Sequence, residues 1–220
     1  MGSFSSAAPR TTLVLGGARS GKSRYAEALV ERQSAARVYL ATAEAGDAEM
    51  EARIRRHRAR RGPGWRTVEA PLELARAIEA EARRERAVLV DCLTLWLANL
   101  MGAARDVERE TEILVACLGR VAGPVVLVSN EVGYGIVPDN EAARRFLDHA
   151  GLLHQRVAAV AGTVVLVAAG LPLALKGVAL PLAPSVSDAP GSDEPRSDEP
   201  VSDETAPTEL TGDPRAERRA

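Results

Sequence analysis

Apolar residues along this chain fall into short, almost unbroken runs, separated by longer stretches in which they recur every three or four positions. Five runs, Thr12–Leu15, Arg37–Thr42, Ala87–Val90, Val125–Ser129 and Thr163–Ala168, are rich in Val and Leu and barely alternate with polar residues. A strand that is apolar on both faces is covered on both, as in a parallel sheet flanked by helices. The intervening segments Ser23–Ser34, Asp47–Arg61, Leu72–Arg84, Leu93–Leu100, Val107–Val121 and Asn140–Ala161 carry helical periodicity. Strands and helices in alternation predict a doubly wound α/β fold with a mostly parallel sheet.

The pattern stops at Pro181. Beyond it Ser-Asp-Glu-Pro recurs in near copies, and seven of the 13 prolines fall here. Such a segment cannot bury enough apolar surface to offset the entropy of ordering, so it is expected to be a disordered, solvated acidic tail. The expected organisation is an N-terminal extension over 1–11, one domain over 12–180 and the tail over 181–220. With 220 residues, 46% of them hydrophobic, the chain is long enough for one core of ordinary size.

Charge changes the picture once the tail is set apart. The formal net charge is -2, but the tail holds ten Asp and Glu against four Arg, which leaves about +4 for residues 1–180. A mildly basic body suits an anionic substrate. Cys92 and Cys117 have neither the number nor the spacing of a disulfide framework or a zinc site. The apolar stretch around Val164–Leu175 is broken by Gly170 and Pro172 and falls short of the roughly 18–20 residues a membrane span needs, so no stable membrane insertion is expected. Residues 1–10 lack the charged region and apolar core of a secretory signal, and a cytoplasmic location is the expectation.

The sharpest chemistry is Gly16-Gly17-Ala18-Arg19-Ser20-Gly21-Lys22-Ser23, which follows the first strand and opens the first helix, the context a P-loop requires. Its glycines let backbone N–H groups turn inward onto phosphate, the helix N-terminus adds partial positive charge, and Lys22 reaches the β- and γ-phosphates of ATP or GTP. Ser23 is placed to hold Mg2+ through its hydroxyl, and Asp91, ending the run Ala87–Val90, supplies the carboxylate that a second strand normally contributes. The competing reading of Asp91 is an N-cap for the helix starting at Leu93. Together these features predict a P-loop NTPase-like fold. Glu131, at the end of another predicted strand, is a candidate base for phosphoryl transfer, with stabilisation of the turn beside Gly133 and Gly135 as its alternative.

A second segment, Arg53 to Arg61, holds six arginines with His57 in their midst. Three readings compete: a solvated cationic face, a polyanion-binding face, and a nucleophilic His57. Aromatic residues for stacking on nucleic acid amount to only 3% of the chain. Surrounding guanidiniums would keep the imidazole neutral and nucleophilic, and would bind phosphate oxygens. His149 and His154 fall inside a helical pattern and are read as structural or surface residues.

These residues occur within a longer ordered pattern. The P-loop continues as Arg24-Tyr25-Ala26-Glu27, and then come Tyr39-Leu40-Ala41-Thr42-Ala43, Asp47-x-Glu49-Met50-x-x-Arg53-Ile54-x-x-His57 and Trp65-Arg66-Thr67-x-Glu69. Val90-Asp91-Cys92-Leu93-Thr94-Leu95-Trp96, Ser129-Asn130-Glu131-Val132-Gly133-x-Gly135-Ile136-Val137-Pro138 and Gly170-Leu171-Pro172 follow. From about residue 12 to 177 this resembles the bifunctional adenosylcobinamide kinase/adenosylcobinamide-phosphate guanylyltransferases of cobalamin biosynthesis. The resemblance implies phosphorylation of adenosylcobinamide by ATP or GTP, followed by transfer of GMP from GTP to adenosylcobinamide phosphate through a covalent intermediate on His57. It implies nucleotide contacts at the P-loop, at Ala41, Thr42 and Ala43, at Arg58, Ala59, Arg60 and Arg61, and at Glu69 and Asp91. It also implies a homotrimer and small-molecule partners rather than nucleic acid. The alternative is another small-molecule P-loop kinase without nucleotidyl transfer.

Overall fold

Each of the five apolar runs becomes a strand, and two further strands join them. The computed structural model describes residues 10–43, 61–62 and 64–181. In chain order the elements are β1 (Thr11–Gly16), α1 (Lys22–Gln33), β2 (Ala36–Ala41), β3 (Trp65–Glu69), α2 (Leu74–Glu81), β4 (Arg86–Asp91), α3 (Leu93–Gly102), α4 (Val107–Leu118), β5 (Val125–Asn130), α5 (Glu141–Val160), β6 (Thr163–Ala168) and β7 (Leu171–Lys176). They build one seven-stranded sheet in the order β3-β2-β4-β5-β1-β6-β7. All neighbours pair in parallel except β6 and β7, which are antiparallel.

The unbroken apolar runs are explained by two cores, one on each face. In β4, Val88 and Val90 enter one core while Ala87 and Leu89 enter the other; in β5, Val125 and Leu127 oppose Val126 and Val128 in the same way. The first core is completed by α2, α3, α4 and α5 through Leu74, Ile78, Trp96, Leu100, Leu114 and Leu153. The second is covered by α1 through Tyr25, Ala26, Leu29 and Val30, with Ala179 and Leu180 packed against it. Each fully buried Val or Leu contributes roughly 1.5–3 kcal/mol, so the central strands anchor everything mounted at their ends.

The helix limits follow local chemistry. The Asp106 side chain accepts from the Arg109 N–H at 3.1 Å to start α4, and the Asn140 side chain accepts from the Ala143 N–H at 2.8 Å to start α5. α2 is shorter than its periodic pattern because Arg83 turns back to pair with Arg86. The predicted helix Asp47–Arg61 lies outside the described residues apart from Arg61. No helix among the described residues is long and apolar enough to cross a membrane.

Candidate functional site

The loop between β1 and α1 is a cradle made almost wholly of main chain. Gly21 has φ +93, a left-handed conformation that glycine adopts without strain, and it gives α1 its cap position without a side-chain bond. Gly16 has no space for a side chain: an added Cβ would lie 2.5 Å from Ser20 Oγ and 2.6 Å from the Val167 carbonyl. The cradle is tied to its surroundings by main-chain bonds from the Glu131 N–H to the Gly16 carbonyl (3.0 Å) and from the Gly170 N–H to the Ser20 carbonyl (2.9 Å). Ala18 and Arg19 are exposed at its rim. Lys22 is buried and donates from Nζ to the Gly17 carbonyl at 3.1 Å, so its ammonium lies folded along the loop. Ser20 is buried too, and its Oγ has no hydrogen-bond partner among the described residues. A hydroxyl left unpaired inside a ring of backbone turned for an anion fits a phosphate oxygen.

A second group of site residues is assembled by register. Ala41 is paired with Glu69 of β3 on one side and with Asp91 of β4 on the other, so these three form one row across adjacent strand ends. Strand C-termini in an open α/β sheet are where ligands bind. Glu69 is exposed and Asp91 half-buried. Asp91 is not a helix cap: the cap position of α3 is Cys92, and it has no side-chain cap bond. Burial, reinforced by the Asp91 charge, pushes the Tyr39 phenol well above its usual range. Burial and then the Asp91 charge raise the Cys92 thiol, whereas Thr94 and the Lys22 charge pull it down. The lysine of the cradle and the carboxylate of the row therefore act on the same point. The hydroxyl of Ser23, half-buried on the first turn of α1, and the Asp91 carboxylate are hard oxygen donors of the kind Mg2+ takes.

Three contacts lock the row. The Thr42 hydroxyl accepts from the Cys92 N–H and donates to the Cys92 carbonyl, both at 2.8 Å, and is fully buried. It is thus committed to the protein, as is the Thr42 N–H, which donates to the Asp91 carbonyl at 3.3 Å. Asn99 of α3 donates to the Thr42 carbonyl at 2.7 Å and to the Pro71 carbonyl at 3.1 Å. The Trp96 indole donates to the Leu72 carbonyl at 2.8 Å. One face of α3 in this way holds the ends of both β2 and β3.

Arg61 is buried, and its guanidinium carbon lies 3.4 Å from the centre of the Tyr39 ring. His57, Arg58, Ala59 and Arg60 lie outside the described residues. Glu131 spends a carboxylate oxygen on the Gly133 N–H at 2.8 Å, the turn-stabilising role. His154 is buried with Nε2 2.7 Å from Ser129 Oγ, and burial lowers its pKa. It is a structural histidine, as its helical setting predicts. Sequence reasoning missed Tyr39 and Asn99 as site residues. The lone hydroxyl-bearing ring inside the apolar run of β2 was the available signal for Tyr39; Asn99 sits in a helix and gave none.

Residues 12–175 match the cobinamide kinase / cobinamide phosphate guanyltransferase family, a span that includes the cradle, the row and the arginine segment. The bifunctional adenosylcobalamin biosynthesis protein CobP of Pseudomonas aeruginosa is 52% identical over 167 residues, covering 75% of this chain and 96% of that protein. Its counterpart CobU of Salmonella typhimurium is 42% identical over 179 residues, covering 74% of this chain and 98% of that protein. Among solved structures, the flagellar accessory protein FlaH of Methanocaldococcus jannaschii aligns over 76% of this chain and 78% of its own, at 11% identity and a TM-score of 0.41, too slight a likeness to add to the sequence matches. With its phosphate cradle and its carboxylate row both inside the matched span, the chain belongs to the cobinamide kinase / cobinamide phosphate guanyltransferase family.

Proposed function

We propose that the protein phosphorylates adenosylcobinamide with ATP or GTP and then transfers GMP from GTP to the resulting phosphate, giving adenosylcobinamide-GDP and pyrophosphate. The observation that carries this reading is a P-loop with a buried lysine and the Ala41–Glu69–Asp91 row at the same end of one parallel sheet, inside a chain whose relatives are named as bifunctional. Residues 12–180 form the catalytic domain, and 1–11 and 181–220 are extensions to it; the span of the family match supports this division.

In the kinase step the cradle from Gly16 to Ser23 holds the triphosphate, and Lys22 balances charge that develops on the β- and γ-phosphates. Mg2+, held by Ser23 and Asp91, supplies further charge neutralisation when bound. The substrate hydroxyl attacks the γ-phosphorus, its proton leaves, and the bond to the β-phosphate oxygen breaks. Orientation and charge account for most of the rate.

In the second step a neutral His57 nitrogen attacks the α-phosphorus of GTP. The phosphorus–oxygen bond to pyrophosphate breaks, and a phosphoramidate to GMP forms. A phosphate oxygen of adenosylcobinamide phosphate then displaces the imidazole, which regains its free form. Arg58, Arg60 and Arg61 neutralise the triphosphate and the departing pyrophosphate, while Ala41, Thr42, Ala43 and Ala59 and the carboxylates of Glu69 and Asp91 complete the nucleotide contacts.

A homotrimer working in the cytoplasm on these small molecules is part of the same reading. The exposed Leu171, Leu173 and Leu175 of edge strand β7, followed by Val178, support a subunit contact there.

The test is incubation of wild type and His57→Ala with GTP labelled at the α-phosphate and Mg2+, without acceptor. Label that stays on denatured wild type, survives alkali, is lost in acid and is missing from the variant is the expected result. An unlabelled wild type that still binds GTP leaves only the kinase.

A further inference from the structure

β5 ends in the middle of the site. Its Val128 is paired with Asp91 of β4 and its Asn130 with Gly16 of β1, so the chain leaves the sheet between the carboxylate row and the phosphate cradle. The loop that follows, residues 131–139, is fixed at both ends. The Glu131 N–H donates to the Gly16 carbonyl at 3.0 Å, and the Glu131 carboxylate accepts from the Gly133 N–H at 2.8 Å. At the far end the Arg144 guanidinium donates to the Pro138 and Asp139 carbonyls at 2.9 and 2.6 Å, and Asn140 caps α5.

What this frame presents is apolar. Between Glu131 and Asp139 no residue is charged, and Tyr134, Ile136 and Val137 are 85%, 96% and 72% exposed. Single exposed apolar side chains are ordinary on a protein surface. Three within four positions, on a loop tied to the phosphate cradle, make a surface whose hydration a ligand contact relieves. Neither phosphate oxygens nor Mg2+ gain from such a surface. The acceptor does: its reactive hydroxyl stands at the end of one arm of a cobalt corrin. With that hydroxyl in line with the γ-phosphate, the macrocycle, its methyl groups and its amide arms have to rest outside the cradle.

We infer that Tyr134, Ile136 and Val137 form the acceptor subsite, a surface on which the corrin macrocycle lies while its arm reaches the γ-phosphate. This rests on the proposed reaction with adenosylcobinamide, and it adds where the bulk of that substrate is held. The cradle and the row then serve the nucleotide, and the loop between them serves the acceptor.

The test uses the full chain with Tyr134→Ser, Ile136→Ser and Ile136→Leu. Equilibrium dialysis against adenosylcobinamide, with a non-hydrolysable ATP analogue filling the cradle, is read by the visible absorbance of the corrin. Affinity for the analogue without acceptor is read calorimetrically. Tyr134→Ser and Ile136→Ser are each expected to weaken adenosylcobinamide binding about tenfold, the scale of withdrawing one large apolar side chain from a contact, with affinity for the analogue unchanged. Ile136→Leu keeps the apolar area and should bind adenosylcobinamide as wild type does. Because both positions are exposed, urea melts of all the variants should superimpose on that of wild type.

Wild-type affinity for adenosylcobinamide in both serine variants overturns the subsite. An equal loss of affinity for the analogue alone assigns the loop to the nucleotide base, and altered sedimentation with acceptor binding intact assigns it to a second copy of the chain; either result overturns the inference. Wild type that binds the analogue but no adenosylcobinamide sinks the proposed function itself. Wild type that binds both, with the serine variants no weaker, sinks the subsite alone.

Discussion

The phosphate cradle and the carboxylate row sit at the same end of one sheet but are made in opposite ways. The cradle is eight consecutive residues whose working groups are mostly backbone, held by Gly16, Gly21 and main-chain bonds to Glu131 and Gly170. The row takes Ala41, Glu69 and Asp91 from three strands and depends on register and on the side chains of Thr42, Asn99 and Trp96 to lock it. A cradle of this kind fails when its backbone is displaced. A row of this kind fails when a supporting side chain is lost.

The largest effect is expected from Gly16→Ala. The new Cβ would stand 2.6 Å from the Val167 carbonyl, and backbone cannot swing aside as a side-chain end can. Either β1 or the loop shifts, and the N–H groups lose their aim at the phosphates. Misplacement on the scale of an ångström costs about a hundredfold in turnover, so both the kinase rate and the labelling of His57 should fall together by that factor. Kinase turnover close to wild type would break the comparison, because the cradle would then not depend on its backbone geometry.

Thr42→Val is the corresponding cut in the row, nearly isosteric but without the hydroxyl. It leaves the Cys92 N–H unpaired in a fully buried place and removes the donor to the Cys92 carbonyl. The expected loss is about 2 kcal/mol in a urea melt. The Michaelis constant for the nucleotide should rise as well, because the Thr42 and Cys92 main chain on either side of the row loses its lock. Loss of stability with unchanged kinetics would mean that Thr42 supports the core alone.

The same difference explains what the sequence made legible. Gly16 to Ser23 is contiguous, so its chemistry could be read without knowing the fold, and the five buried strands announced themselves because both their faces are apolar. β3 went unread because Trp65–Glu69 is a half-exposed edge strand that follows an arginine-rich stretch. β7 went unread because Gly170 and Pro172 look like a loop, although proline is admissible on an edge strand. Once β3 is missed, the alignment of Glu69 with Ala41 and Asp91 is missed with it. The stacking of Arg61 on Tyr39 joins residues 22 positions apart, and no local pattern encodes it. Glu69 and Asp91 came from the family resemblance and the strand-end pattern; that they share one row with Ala41 is a property of the sheet.

The smallest effect tests whether acid acts on the support behind the cradle. His154 lies behind the cradle, bonded to Ser129 near the end of β5, and Glu131 two residues later holds the Gly16 carbonyl. Burial lowers its pKa from the ordinary 6.5, and the charge of Glu131 offsets this only in part. The folded protein therefore prefers neutral imidazole, and the unfolded chain binds the proton more readily. The resulting stabilisation is complete above the unfolded value near 6.5 and is lost as pH falls from there through the depressed folded value. His154→Gln, which can still bond Ser129, should flatten that part of the stability curve while leaving stability at pH 8 nearly unchanged, as urea melts from pH 8 to pH 5 would record. If the variant keeps the wild-type slope, the loss in acid does not come from His154.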